Sequence, residues 1–310
     1  MGIVVIGAVF VDIKGFPDGA FIPTGKNAGS VVQVHGGVSR NVCEDISNIE
    51  LRQTFVGVVD HTAISDEVIN KLKRHKVNTD YIAREEDGLG TWVAIFDPNG
   101  DVVASISKRP NLDGIAKILD EKGDEIFSQC DAIAIEIDME PKIIKRILHY
   151  ARKYNKSVYA VPSNAHLAND RRDFIKQLDC YVCNDLEAGL FFAEDFSNKS
   201  PEEMVKILKK NVALAKIPQM VVTMGGQGSV YATCDGEAGI VPPSNVHVVD
   251  TTGCGDAYFA GVCAGLTYGK TLEQSCQIGT RLAASVISSK ESVCPRFLPS
   301  EFELDVTIED

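Results

Sequence analysis

Asp250-Thr251-Thr252-Gly253-Cys254-Gly255-Asp256 closes an apolar β-like run, Val246 to Val249, and opens a long helical run from Ala257 to Tyr268. Two glycines in three residues let the backbone turn sharply at this junction and gather several N–H groups where a helix begins. Unpaired amides and the positive end of the helix dipole then point the same way, which makes the turn an anion-binding nest. A carboxylate inside such a nest repels a phosphate rather than holding it. Asp256 makes sense there as a base that takes the proton from a hydroxyl attacking the phosphorus, so the segment reads as a phosphoryl-transfer site. The plainer alternative is a strand-to-helix turn in which Asp256 only caps the helix, and a short glycine motif alone does not choose between the two.

Outward from this turn, apolar β-rich runs alternate with amphipathic helical runs. Strands are expected at Ile3–Ile6, Thr54–Val58, Ala132–Glu136, Ser157–Val161, Cys180–Cys183, Met220–Thr223 and Gly228–Ala232. Helices are expected at Asn41–Ile49, Ser65–His75, Pro141–Tyr154, Asp185–Phe192, Pro201–Ala215, Asp256–Tyr268 and Leu272–Ser289. Near-continuous apolar strands separated by helices predict an α/β fold with a mostly parallel sheet covered on both faces, whose ligands sit beyond the carboxyl ends of the strands. Two segments break the rhythm. Phe16 to His35 is poor in helix signals, and Thr91 to Ser107 reads as a hairpin turning at Asp97-Pro98-Asn99-Gly100. Together they predict a small separate sheet, a lid that keeps water from the reacting phosphate; two unrelated surface hairpins are the alternative.

The 310 residues are 45% hydrophobic and 24% charged, with a net charge of −12. That is the composition of an ordinary soluble globular protein. No basic block suits a nucleic-acid groove, and no apolar run reaches membrane-spanning length. The start, Met1 to Val11, lacks a basic leader, and Ile6 stands where a myristoylation signal needs Ser or Thr, so a buried first strand is expected. Nine scattered cysteines predict free thiols and a cytoplasmic setting, with Cys180 and Cys183 in a buried strand rather than at zinc. Gly269-Lys270-Thr271 is not a phosphate-binding loop, because Ala264 occupies the required glycine position and a helix precedes it.

Three further clusters carry polar chemistry. Asp12 follows the first strand, and Gly36-Gly37-Val38-Ser39-Arg40-Asn41 joins the lid to a helix. A carboxylate and an amide suit a polyol, and paired glycines admit it close to the backbone; singly, Asp12 is a strand-end acid and Asn41 a helix N-cap. Asn184-Asp185-Leu186-Glu187 follows a strand and by itself fits a capping box, Asn as N-cap with Glu three residues on. Thr223-Met224-Gly225-Gly226-Gln227-Gly228 lies between two β-like runs as a glycine-rich loop.

In this order the motifs resemble those of the ribokinase/PfkB carbohydrate kinase family, whose C-terminal signature runs D-T-x-G-A-G-D; Cys254 stands in place of the alanine. G-G-x-x-x-N, N-x-x-E and T-x-G-x-x-G motifs precede it, so the resemblance covers nearly the whole chain. It implies a three-layer αβα core over residues 1–13, 38–87 and 108–310, with a β-sheet lid from 14–37 and 88–107. It implies ATP and Mg2+ as cofactors, and a sugar or nucleoside as substrate. Asp256 would be the base, and the amides of Gly253, Cys254 and Gly255 the nest. Asp12, Gly36, Gly37, Asn41 and Thr91 would bind the substrate. Asn184, Glu187, Thr223, Gly225, Gly228 and Thr280 would face the nucleotide, with Asn184 and Glu187 directed at magnesium. Asp250 and Thr252 would hold a monovalent cation such as K+, although the residues near Ser289 and Glu291 depart from the ribokinase pattern. The string Gly36 to Asn41 and the stretch Val5 to Gly15 are most similar to the pseudouridine kinase branch, which implies phosphorylation of the 5′-hydroxyl of pseudouridine. Ribose, fructose, another nucleoside, or a catalytically silent binding relative are the alternatives. Lys14, Asn27, Gln33 and Thr91 are lid candidates for contacting a base, Cys254 at a helix start is expected to favour its thiolate, and the lid's open edge suggests a homodimer.

Overall fold

The computed structural model describes residues 2–49, 51–97 and 102–304. Its strands are β1 (Gly2–Ile6), β2 (Phe10–Pro17), β3 (Gly29–Gly36), β4 (Arg52–Val59), β5 (Asn78–Arg84), β6 (Gly90–Phe96), β7 (Val102–Lys108), β8 (Ala132–Glu136), β9 (Ser157–Val161), β10 (Cys180–Asn184), β11 (Gln219–Thr223), β12 (Ser229–Thr233) and β13 (Ala238–Val241). Its helices are α1 (Val38–Asn48), α2 (Ala63–Arg74), α3 (Asp113–Ser128), α4 (Pro141–Tyr154), α5 (Ala165–Asn169), α6 (Arg172–Ile175), α7 (Asp185–Phe192), α8 (Pro201–Ala215), α9 (Cys254–Thr267) and α10 (Leu272–Ile287).

A nine-stranded sheet runs in the order β13-β12-β11-β10-β9-β8-β1-β4-β5. It is parallel except where β12 meets β11 and β13. Alternate side chains of each strand enter opposite faces. Ile3, Val5 and Phe55 join the core under α1, α2, α9 and α10, while Val4, Ile6 and Val56 join the core under α3, α4 and α8. The chain leaves β1 toward β4 and β5, then returns on β1's other side with β8, so the order reverses between β1 and β8. In such sheets the crevice beyond the strand ends at the reversal is where ligands lie.

A second sheet, β3-β2-β6-β7, pairs the two segments that broke the helical rhythm. The expected hairpin pairs β6 with β7, with a register shift between Ile95 and Phe96; its turn lies outside the described residues. Asp12 stands within this sheet rather than at the end of the first strand. The apolar run Val246 to Val249 forms no strand: β13 already ends the large sheet, and among the described residues the run's backbone contact is the Val249 N–H on the Ile287 carbonyl at 2.8 Å. Helix α1 starts at Val38 with Gly37 at its N-cap, so Asn41 stands inside the first turn and is not the cap.

Candidate active site

Helix α9 aims its N-terminus at the reversal point because its other side fits closely on α10. A Cβ on Gly261 would lie 2.6 Å from the Gly279 Cα, so only glycine permits this approach. At the helix start Gly253 has φ 82° and presses against Ser292, whose carbonyl oxygen would be 2.0 Å from any Cβ there. A left-handed φ and that contact both demand glycine. The Cys254 N–H is shared with the Thr251 carbonyl at 3.3 Å, and the Ala257 N–H closes on Gly253 at 2.9 Å. The amides between them head the helix without an acceptor in the preceding turn, and Gly255 faces open space.

Asp256 lies in the first turn of α9 and accepts a hydrogen bond from Asn41 Nδ2 at 2.6 Å. Burial pushes its carboxyl up to about 7; Asn41 and Arg40 oppose the shift, while Glu136 and Asp12 add to it. Asn41 Oδ1 is buried with no partner among the described residues. An unpaired buried acceptor costs about 1–3 kcal/mol, and a hydroxyl donor placed beside Asp256 would relieve it. Asp12 lies over Gly36, where a Cβ would come within 2.4 Å of both carboxylate oxygens. Burial raises the Asp12 carboxyl, against the pull of Lys14 and Arg40.

Buried charges that the sequence reading left out hold this cluster. Arg40 bonds the Gly36 carbonyl at 3.3 Å and Glu44 at 2.6 Å, and it also reaches the His35 carbonyl, so it pins the end of β3 onto α1. Glu136, at the carboxyl end of β8, accepts from the Ala8 N–H at 3.2 Å and the Ser39 N–H at 3.0 Å. It thereby fixes the start of α1, and Asn41 with it, at the reversal point. Asp138 accepts from Ser163 and pairs with Arg109 at 2.9 Å, just past the last lid strand. An acid ending an otherwise apolar strand, with a second acid two residues on, was a readable sign of a sheet edge facing a ligand; Arg40 gave none beyond its motif.

A cavity of about 500 Å3 opens beside the nest, lined by Thr223, Gly225, Gly228, Cys254, Gly255 and Thr280 among others. The fold therefore brings four of the expected nucleotide contacts together against two nest residues. The stray run Val246 to Val249 finds its place here, with Val246 and Val248 forming part of the wall. Thr280 bonds back to the Cys276 carbonyl at 3.0 Å, and Thr223 lies level with Asn184 on the next strand. Asn184 and Glu187 form a reciprocal capping box at 2.8 Å each way. Burial pushes Glu187 up to about 7, and Asp138 and Asp185 push the same way against the Asn184 N–H. Cys254 runs against expectation: burial, followed by the charge of Asp256, raises its thiol and outweighs the helix-start amides.

Register sorts the lid residues. Asp12 is level with Val34 and Trp92, and Lys14 with Val32 and Ala94, so these share the face that meets the nest. Thr91 is level with Val11 and His35 and points the other way; it does not share the Asp12 face. Gln33, level with Ile13, also faces away, and Asn27 is taken up by Ile22 and Gly25 backbone. On the inner face Phe96 stacks on Phe16 at 5.1 Å and meets Trp92 edge-on at 6.2 Å. Among the described residues no group of three or more His, Cys, Asp or Glu could hold a metal, and no helix is long and apolar enough to cross a membrane.

The model of the pfkB family of carbohydrate kinases matches residues 2–295. The chain belongs to this family. It is a phosphotransferase of the sugar and nucleoside kinases. This pfkB kinase is 31% identical over 292 residues to the guanosine-inosine kinase of Exiguobacterium acetylicum, covering 94% of this chain and 95% of that one. It is 22% identical over 288 residues to the pseudouridine kinase of Escherichia coli, covering 92% and 90%. Its fold matches that of Arabidopsis thaliana ribokinase, solved with ribose and ATP, with a TM-score of 0.82 at 17% identity over 98% and 99% of the two chains.

Proposed function

We propose that this pfkB kinase transfers the γ-phosphoryl group of ATP to the 5′-hydroxyl of a nucleoside. The observation that carries the reading is the Asp256–Asn41 pair at the head of α9, with the Asn41 acceptor left unpaired beside it. The incoming hydroxyl donates to Asp256, whose carboxyl near neutrality suits a base. Asn41 Oδ1 and Asp12 take neighbouring hydroxyls of the ring. Amides at the start of α9 face the charge that grows on the transferring group. The cavity lined by Thr223, Gly225, Gly228 and Thr280 takes the nucleoside part of ATP. Asn184 and Glu187 offer oxygen donors of the kind magnesium prefers, and a divalent cation would favour the Glu187 carboxylate that burial, and then the charges of Asp138 and Asp185, disfavour. When bound, magnesium supplies positive charge at the phosphates.

The inner lid face favours a nucleoside over a free sugar. Trp92, Phe96 and Phe16 present a platform to a planar ring, and stacking of this kind contributes about 1–3 kcal/mol per base. The 31% identity to a guanosine-inosine kinase favours a purine nucleoside ahead of pseudouridine. The experiment is ADP release with guanosine, inosine, pseudouridine and ribose in turn. Turnover is expected to be highest with the purine nucleosides, with quenching of the emission of Trp92, the chain's one tryptophan. Ribose turned over as well as any nucleoside would overturn the substrate reading, and binding without ADP release would favour a silent relative.

A further inference from the structure

The family resemblance implies a monovalent cation beside the nest, held by Asp250 and Thr252. The residues do not fit that ion, because the loop already holds a cation belonging to the chain. Lys14 comes from lid strand β2, 238 residues away in sequence, and its Nζ lies 3.1 Å from Thr252 Oγ1. The same Nζ is 3.7 Å from Asp250 Oδ2 and 5.8 Å from the centre of the Phe96 ring, on a side chain only 9% exposed. The other Asp250 oxygen accepts the Thr252 N–H at 2.8 Å. Burial works against the Asp250 carboxylate, yet that N–H and Lys14 hold it below its ordinary range. On the far side of the loop, the Ser289 hydroxyl lies 3.1 Å from the Val286 carbonyl and 3.3 Å from the Glu291 carbonyl. The Ser292 carbonyl is covered by Gly253. An alkali cation needs several oxygens at once in place of its water shell, and here the side-chain oxygens have partners from both sides.

We propose that Lys14 replaces the alkali cation, so that an ammonium carried by the lid charges the phosphate loop from behind. Resting on the reading of residues 250–256 as a phosphate nest, this makes Lys14 a positioning residue that acts through Asp250 and Thr252. It also makes the charge conditional on the lid, since the ammonium moves with β2. A sheet that opens to admit substrate withdraws a positive charge from the nest, and one that closes restores it.

The test compares chloride salts of potassium, sodium and tetramethylammonium at one ionic strength, because bulk screening alone changes rates. For the wild type, ADP release in the three salts should agree within about twofold, and melting should show no shift specific to K+. Lys14→Met should lower kcat by about tenfold or more in tetramethylammonium. In K+ it should recover part of that loss and gain a K+-specific rise in Tm, a readout that needs no turnover. Lys14→Arg, which keeps the charge, should stay indifferent to the salt. Activation of the wild type by K+ would overturn the proposal, as would a Lys14→Met protein with neither K+ rescue nor a K+-dependent melt. If no acceptor in the panel gives ADP, the substrate reading fails separately, and the melting curves still decide the role of Lys14. Should Lys14→Met not fold, the wild-type and Lys14→Arg salt series decides it.

Discussion

Asp256 gains its character from neighbours, and that gives it a pH signature. Its carboxyl is raised to about 7, chiefly by burial. The folded protein therefore binds a proton that the unfolded chain releases near the ordinary carboxylate value. The resulting stability is complete below that ordinary value and is lost as pH rises through about 7. Asp256→Asn removes the buried charge, so its Tm should exceed that of the wild type at pH 8, and the gap should close as pH falls below the ordinary carboxylate range. A calorimetric gap independent of pH would show that the carboxyl is not raised. The same variant should lower kcat by about 10²–10⁴, and near-normal turnover would remove Asp256 from the base's role. Asn41 acts in the opposite direction, since its N–H stabilises the carboxylate. Asn41→Leu should therefore move the acid limb of kcat to higher pH; a limb that stays in place would mean that another group sets it.

At the scale of elements, the same contact of α9 on α10 that seats the nest should also make it fragile. Gly261→Val forces a side chain into the Gly279 backbone, with a cost of about 1–3 kcal/mol from overpacking. If the helix head aims the amides, kcat should fall while quenching of Trp92 by nucleoside persists; loss of quenching at equal kcat would contradict that division. What the sequence disclosed follows from where each signal resides. Helices α4, α7 and α8 carry their own start signals, Pro141, the Asn184–Glu187 box and Pro201 after Ser200, and their bounds were legible to the residue. Strands β8 and β9 are short, mostly apolar runs that begin directly after Asp131 and Lys156, and were equally legible. Helix α3 was missed because Gly114 and Gly123 break its pattern, although Gly123 is there to admit the Tyr150 ring, which a Cβ would meet at 2.3 Å. Strand β5 was missed because Asn78, Thr79 and Asp80 dilute an edge strand. The run Val246 to Val249 misled in the opposite sense: its valines form a cavity wall, and no local pattern separates that from a strand. Residues within one motif are contiguous, so their proximity is readable from the sequence. The Lys14–Thr252 and Arg109–Asp138 contacts join distant segments and depend on how the two sheets meet.

Over the whole molecule, the lid sheet has two unlike faces. The inner one carries Asp12, Lys14 and Trp92 toward the nest. The outer one aligns Ile13 with Val93, and Val93 with Ile106. Val93 and Ile106 are exposed to 40% and 76%, and Val31, on the same face, to 71%. Beside them a cavity of about 330 Å3 is lined by Ile13, Phe21, Val31, Val93 and Ile95. Contiguous exposed apolar surface on a folded chain marks an association site, and a two-fold axis through such a face brings each patch onto its own copy. If this face pairs with its own copy, the protein is a homodimer through the lid, and sedimentation equilibrium tests that. Ile106→Lys should weaken it by about tenfold or more, as loss of one central apolar contact does. Because Lys14 and Trp92 belong to the same strands, a lid held by a partner is also steadier over the nest. Specific activity of the wild type should then fall on dilution below the dissociation range, and Ile106→Lys should show the lower value at all concentrations. A wild type that sediments as a monomer, or a dimer whose activity is independent of concentration, would separate the outer face from the chemistry on the inner one.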